Sequence, residues 1–445
     1  MIKWLNSGHE RSARLKKHIS FSFILKGLSI LISLVFFPLL LDLLGEEKFG
    51  IWLTISSVIT WFTFFDVGLG NGLRNRLAES MAKNDLSSAK TYVSTTYALV
   101  FGIALLIFTC FLLLFPFIDW GGFFNAGDVE ELGALVFVVF SFFCLQFVVK
   151  LITMIMMSEQ RPALNSALNT LASAISLLVI YMLYRTDSGS LVEVAIAISG
   201  INLLVYVIAS ILLFGGRYKA FRPSYHNVDL SHSKDLLGLG AKFFVLQGAA
   251  LIVMATDNMI ITQVVGPGEV PAYNAALKYF SIITMVFTIV TTPFWSAFTE
   301  AWQKGEKEWI QHTVRKVEKL WFIAVVVLIL MIFGADQFYK LWLGDRLEVP
   351  FLVSFFMAFW VFMATGTAIY SNFLSGVNKV RISFYHAIFV SVINIPLSIL
   401  FAGPMGMGSA GVILATCLCV LPRALLQPIQ YRKLIAGKAN GLWSK

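Results

Sequence analysis

Long apolar stretches, each set off by a few polar residues, recur along this chain from about residue 19 to residue 430. A run of about 20 apolar residues is what an α-helix needs to cross a ~30 Å hydrocarbon layer. We read twelve such spans: 19–44, 49–72, 91–118, 133–157, 164–184, 191–214, 236–265, 272–299, 317–343, 349–375, 381–403 and 407–430. The start of the fifth is diluted by Asn165, Ser166 and Asn169. Only 13% of the residues are charged and 58% are hydrophobic, whereas soluble domains carry roughly 25% charged residues. That balance excludes a soluble enzyme, a disordered chain and a nucleic-acid reader. All four cysteines fall within apolar runs, which implies neither a disulfide framework nor a metal-spaced cluster. The expected fold is an all-α membrane protein of about 12 transmembrane helices.

Lys and Arg are biased towards cytoplasmic loops, and here the bias alternates from loop to loop. The N-terminal tail carries Lys3, Arg11, Arg14, Lys16 and Lys17. Every second loop is basic, with Arg74, Arg76, Lys83 and Lys90 in the first and Lys304, Lys307, Arg315, Lys316 and Lys319 in a later one. The intervening loops hold only Lys48, Arg185, Lys340 and Arg346. Both termini are expected in the cytoplasm, so the span count is even. The formal net charge of +9 then reports orientation rather than an anionic partner in solution. Residues 1–18 read as a basic cytoplasmic segment, either an amphipathic surface helix or a solvated tail. The first apolar run is too long for a secretory signal, and no small-residue cleavage site follows it.

Shifting the chain by 221 positions aligns 20–45 with 241–266. Phe23, Leu25, Gly27 and Gly45 then meet Phe244, Leu246, Gly248 and Gly266. Gly189-Ser190 opens the sixth span as Gly408-Ser409 opens the twelfth, at nearly the same offset. A duplication predicts two six-helix lobes, 19–214 and 236–430, related by a pseudo-two-fold along the membrane normal. Residues 215–235 form the cytoplasmic linker and 431–445 the cytoplasmic tail. Parallel repeats of this kind place a substrate path at their interface and work by alternating access. A transporter follows.

Ionisable residues inside a membrane are costly and face a cavity or a partner. The cationic candidates are Lys26, Lys150, Lys278 and Arg423, set against Asp42, Asp66, Asp257 and Glu300. Lys26, which the repeat pairs with Gln247, is expected to line the substrate path. Lys150 and Lys278 either line a cavity or snorkel, and Arg423 is expected to snorkel. Asp257 is the deepest carboxylate, with Asn258 beside it. It either binds a coupling ion or pairs with a lysine such as Lys26 or Lys278. Asp42 and Glu300 lie near span ends and are expected to be solvated. The segment Asp66-Val67-Gly68-Leu69-Gly70-Asn71-Gly72-Leu73-Arg74-Asn75-Arg76 is the least generic. Its three glycines allow close backbone approach or local unwinding. It reads as a cytoplasmic gate, in which Asp66, Asn71 and Arg76 control access and Arg74 meets phosphate, or as a helix end with basic anchors.

The chain has no Gly-x-x-x-x-Gly-Lys-Ser/Thr loop for nucleotide phosphates, no His-Glu-x-x-His and no Gly-x-Ser-x-Gly. It also lacks a loop long enough for a catalytic domain. Neither an enzyme nor a metal site is expected.

Lys26-Gly27, Pro38-Leu39-Leu40, Leu44-Gly45, Phe49-Gly50-Ile51-Trp52 and the Asp66–Asn75 segment resemble the O-antigen-type polysaccharide flippases of bacterial inner membranes. These belong to the multidrug/oligosaccharidyl-lipid/polysaccharide exporter superfamily. The resemblance implies a substrate of undecaprenyl-pyrophosphate carrying an oligosaccharide repeat unit, for O-antigen or related lipopolysaccharide biosynthesis. It implies transfer to the periplasmic leaflet with H+ or Na+ as coupling ion and no cofactor. The implied partners are membrane lipids, a polysaccharide polymerase and a chain-length regulator, with no nucleic acid. A cationic cavity is implied as well, which adds weight to Lys26, Arg74, Lys150 and Lys278. An ion-coupled multidrug antiporter and a murein-precursor flippase of the same superfamily are the alternatives.

Overall fold

The computed structural model describes residues 10–62, 64–126, 131–159, 161–186, 189–232, 256–291 and 294–444. Every regular element among them is helical. We number the α-helices α1 (Glu10–Phe62), α2 (Phe64–Ala82), α3 (Leu86–Leu114), α4 (Trp120–Phe124), α5 (Leu132–Val149), α6 (Leu151–Ser158), α7 (Pro162–Arg185) and α8 (Leu191–Gly215). There follow α9 (Asp257–Val264), α10 (Val270–Thr291), α11 (Phe294–Gln303), α12 (Lys307–Leu343), α13 (Phe351–Gly376), α14 (Arg381–Ala402) and α15 (Gly408–Ile435).

Ten helical stretches among the described residues are long and apolar enough to cross a membrane. Two features separate that number from the twelve expected. The stretch Ile24–Ile59 joins the first expected span to most of the second. Gly45, at φ 72° and ψ 172°, bends α1 between them. The seventh expected span, 236–265, lies largely outside the described residues, and α9 is its visible end. Gly266, the repeat partner of Gly45, also has a positive φ, 133°. L-residues rarely adopt that half of φ space, so the aligned glycines meet the same backbone demand. Residues 10–18 run helically into the first span without a break.

The helices begin where their caps stand. Asp85 caps α3 by accepting from Ser88 N at 3.0 Å. Ser190 and Glu193 form a reciprocal capping box on α8, at 3.2 and 3.0 Å. Such caps satisfy N–H groups that a first helical turn leaves without partners. Along α12, Phe322, Ile323, Val326, Leu330 and Phe333 are exposed, at the three- and four-residue spacings of one helix face. In lipid that stripe is the solvated surface, so the helices are held by packing and internal polar contacts rather than by expulsion of water.

The chain divides into two compact units. Residues 1–48 and 58–247 form the first; residues 49–57 and 248–445 form the second. In the first, α2, α3, α6 and α8 meet around Leu73, Leu77, Val93, Ile152, Ile155 and Tyr206, all buried. The glycine-rich stretch of α2 is continuous helix rather than unwound, and Gly70 and Gly72 are buried at this contact. Residues 216–232 are strapped to the same unit. Tyr218 and Phe221 are buried in its core. Ser224 N donates to Ser94 Oγ at 3.0 Å, and Asp229 N donates to Thr95 Oγ1 at 3.0 Å.

In the second unit α13 and α15 carry the most buried faces, with α10, α12 and α14 packed around them. Residues 49–57 pack here too. Gly50 is buried against the Pro267 carbonyl so closely that a Cβ would overlap its oxygen.

Candidate functional site

Asp257 opens α9 and is buried, 6% exposed. The Tyr273 hydroxyl, from α10, donates to Asp257 Oδ2 at 2.6 Å. Oδ1 is buried with no hydrogen-bond partner among the described residues. A buried ionised carboxylate costs several kcal/mol unless its lone pairs are satisfied, so a half-satisfied one is a place for a proton or a cation. No lysine or arginine among the described residues forms an ion pair with Asp257, so the paired alternative finds its partner in a tyrosine instead.

One residue on, a polar chain leads away from the carboxylate. Asn274 Nδ2 donates to Asn258 Oδ1 at 2.9 Å. Asn258 Nδ2 in turn donates to the Leu53 carbonyl at 3.4 Å. Thr262 Oγ1 donates to Asn258 O at 2.8 Å and lies 2.6 Å from Thr54 Oγ1. The close approach at Gly50 brings residues 50–54 within reach of α9. Lys278 stands on α10 five residues beyond Tyr273 and is half-buried. Among the described residues no group of three or more His, Cys, Asp or Glu could hold a metal ion.

In the first unit Lys150 marks the break between α5 and α6. Its Nζ lies 5.8 Å from the centroid of the Tyr206 ring, within cation–π range. The Tyr206 hydroxyl donates to Asn169 Oδ1 at 2.8 Å and approaches Asn165 Oδ1 at 3.3 Å. The asparagines that dilute the fifth span therefore seat a buried tyrosine beneath a lysine. Lys26 is exposed on α1 and Arg74 is exposed on α2. Arg76 is half-buried and pairs with Glu79 at 3.1 Å. Lys83, and then Arg76, hold the Glu79 carboxyl below its ordinary range. Asp66 and Asn71 lie on continuous helix in α2, and Gln247 is outside the described residues. The structure thus gathers Asp257 with Asn258 in the second unit; Lys150 belongs to the first.

Sequence reading missed several partners. Tyr273, Asn274 and Thr54 looked like ordinary polar residues in apolar runs; only their fold neighbours give them roles. It also missed an ionic cluster beside the strap. Glu159 accepts from Arg217 Nε at 2.8 Å and from the Tyr218 hydroxyl at 3.1 Å, with Arg161 Nε at 3.4 Å. Burial and then the Glu159 charge push the Tyr218 phenol up to about 12. One expectation is overturned: Arg423 does not snorkel. Its Nη2 donates to Ser371 Oγ on α13 at 2.7 Å.

A family model described as polysaccharide biosynthesis protein matches residues 15–302. The chain belongs to that family. The MatE model also matches, over residues 247–400. Among curated relatives is a protein named as an O-antigen transporter from Salmonella typhimurium. It is 23% identical over 305 residues, covering 67% of each chain. A protein named as an O-antigen export protein from Yersinia pseudotuberculosis is 23% identical, over 79% of this chain and 81% of that one. Solved structures share the fold. An inward-facing multidrug resistance MATE family transporter of the MOP superfamily aligns with a TM-score of 0.75 at 16% identity, covering 92% of this chain and 95% of the other. An outward-facing MATE transporter aligns with a TM-score of 0.63 at 16% identity, over 98% of both chains. The chain thus combines membership of the polysaccharide biosynthesis family with a MATE-like fold, helical throughout its described residues, whose ten long apolar stretches suit a multi-pass membrane protein.

Proposed function

We propose that the protein moves undecaprenyl-pyrophosphate-linked oligosaccharide repeat units from the cytoplasmic to the periplasmic leaflet of a bacterial inner membrane. Both termini are cytoplasmic in this reading, and the exported units feed O-antigen or related polysaccharide synthesis. The match of the polysaccharide biosynthesis model over residues 15–302 carries the reading. A pyrophosphate entering the membrane needs cations to offset its lost hydration. Lys26, Arg74, Lys150, Gln247 and Lys278 are the proposed contacts. Asp66, Asn71 and Arg76 on α2 are the proposed gate. A polysaccharide polymerase and a chain-length regulator are the proposed downstream partners.

Alternating access is driven at Asp257, with Asn258 shaping the site. Hard cations surround themselves with about six oxygen atoms. Near Asp257 the Tyr273 hydroxyl is already donating and Asn258 Oδ1 is already accepting. One orphan carboxylate oxygen suits a proton better than a metal ion, which supports H+ as the coupling ion. The MatE match over 247–400 favours a second reading, an ion-coupled multidrug antiporter.

Deleting the gene tests the choice. The flippase reading expects loss of surface polysaccharide with lipid-linked repeat units accumulating in the cell; unchanged polysaccharide with new drug sensitivity selects the antiporter.

A further inference from the structure

The second unit contains a cation that the transport reading above does not use. On α15, Leu418, Leu421, Leu425 and Ile429 are exposed, spaced three and four apart as one lipid-facing stripe. At 100° per residue, Arg423 projects roughly 150° away from that stripe. It therefore points into the unit, where it remains half-buried rather than sealed.

Three helices bring polar groups to it. Nη2 donates to Ser371 Oγ of α13 at 2.7 Å. The Gln427 amide satisfies its neighbours when its nitrogen donates to Ser371 Oγ at 2.7 Å and its oxygen faces Arg423 Nε at 3.1 Å and Ser383 Oγ at 3.0 Å. One turn back along α15, the His386 ring nitrogen lies 2.9 Å from the Cys419 carbonyl oxygen. No carboxylate among the described residues pairs with the guanidinium. Nη1 has no hydrogen-bond partner among them.

A guanidinium in a membrane protein without a counter-charge is costly. Its fork of five N–H donors matches two oxygens of a phosphate at once. Ser371 and Gln427 hold one edge of that fork, which fixes its plane and leaves Nη1 to act on a ligand. We propose that Arg423, oriented by Ser371 and Gln427, is an anion-binding subsite inside the second unit that takes phosphate-ester oxygens of the transported lipid. The inference rests on the flippase reading for its ligand, and adds a residue and a place to it. The same chemistry would hold the phosphate of an anionic phospholipid, so the test separates the two sources.

The test uses full-length protein in phosphatidylcholine nanodiscs, with undecaprenyl diphosphate, the uncharged undecaprenol and phosphatidylglycerol as probes, read by intrinsic tryptophan fluorescence. Wild type is expected to bind the diphosphate more tightly than either other probe. Arg423→Gln is expected to weaken the diphosphate by about tenfold, the scale of one charge-assisted hydrogen bond, and to leave undecaprenol unchanged. Arg423→Lys restores part of the loss, because it keeps the charge without the fork. Unchanged diphosphate binding by Arg423→Gln overturns the subsite, as does a parallel loss for undecaprenol, which marks a purely structural role. Equal binding of phosphatidylglycerol by wild type overturns the transported lipid as its ligand. If wild type shows no preference for the diphosphate over the alcohol, the flippase reading itself fails. Should Arg423→Gln not fold, Arg423→Lys and Ser371→Ala carry the same comparison: each weakens the diphosphate selectively, and wild-type binding by both overturns the subsite.

Discussion

Tyr273 donates its hydroxyl to Asp257 Oδ2 at 2.6 Å, fixing one oxygen of a carboxylate whose other oxygen is buried without a partner among the described residues. The two residues come from consecutive helices, α9 and α10, joined by a turn at Gly266. The tyrosine orients the carboxylate; the orphan oxygen is where a proton can be taken up and released. Asp257→Asn preserves the shape and removes the titratable group. It is expected to abolish transport driven by an imposed pH gradient in proteoliposomes while the protein still folds. Tyr273→Phe removes a hydrogen bond to a charged group, worth about 1.5–3 kcal/mol, and is expected to slow gradient-driven transport by about tenfold or more. Wild-type rates in both variants would remove Asp257 from coupling.

Gly50 tests how tightly residues 49–57 are built into the second unit. A Cβ at this position overlaps the Pro267 carbonyl oxygen, and backbone cannot swing aside as a flexible side chain can. Gly50→Ala is expected to cost about 1–3 kcal/mol, the scale of overpacking, and to lower Tm in detergent by several degrees. Gly27→Ala, which meets open space, is the control expected to leave Tm nearly unchanged.

Much of the architecture was legible because lipid leaves few choices. Apolar runs long enough to span can only be helices, and nine of the twelve expected spans correspond one-to-one with described spanning stretches. The bend at Gly45 was legible as a break but not as a kink within one continuous helix, since hydropathy does not report φ. The site was only half legible. Asp257 stands out because a charge in an apolar run is expensive, whereas Tyr273 is sixteen residues away and draws no attention in an aromatic-rich chain. Arg423 was misread because distance along a span suggests snorkelling, while the direction of the side chain depends on which face of α15 meets lipid.

The Tyr206 seat beneath Lys150 makes a separate prediction for the first unit. Tyr206→Phe keeps the ring under the lysine but removes the hydroxyl bonds to Asn169 and Asn165. Asn169 is exposed and Asn165 half-buried, so the loss is that of an ordinary hydrogen bond, about 0.5–1.5 kcal/mol, measured as a lower Tm. Lys150→Ala is expected to spare Tm and weaken binding of a polyprenyl diphosphate instead.

Thr95 ties the strap to α3 by accepting from Asp229 N at 3.0 Å. Thr95→Val keeps the side-chain volume and removes the oxygen. Limited proteolysis is expected to cut within residues 216–232 several times faster in the variant, from the loss of about 1 kcal/mol per hydrogen bond. Equal cleavage rates would show that the strap is held without Thr95, by Tyr218, Phe221 and the contacts of Ser94 and Glu159.

The most direct measurement is leaflet transfer itself. Purified protein is reconstituted into liposomes containing a fluorescent undecaprenyl-diphosphate-linked oligosaccharide, and a membrane-impermeant quencher is added outside after a pH gradient is imposed. The flippase reading predicts that the fraction of label reaching the quencher rises with time well above protein-free liposomes, depends on the gradient, and falls back with Asp257→Asn. Label that stays in its original leaflet at the protein-free rate, in vesicles where the protein is folded and correctly inserted, would contradict it.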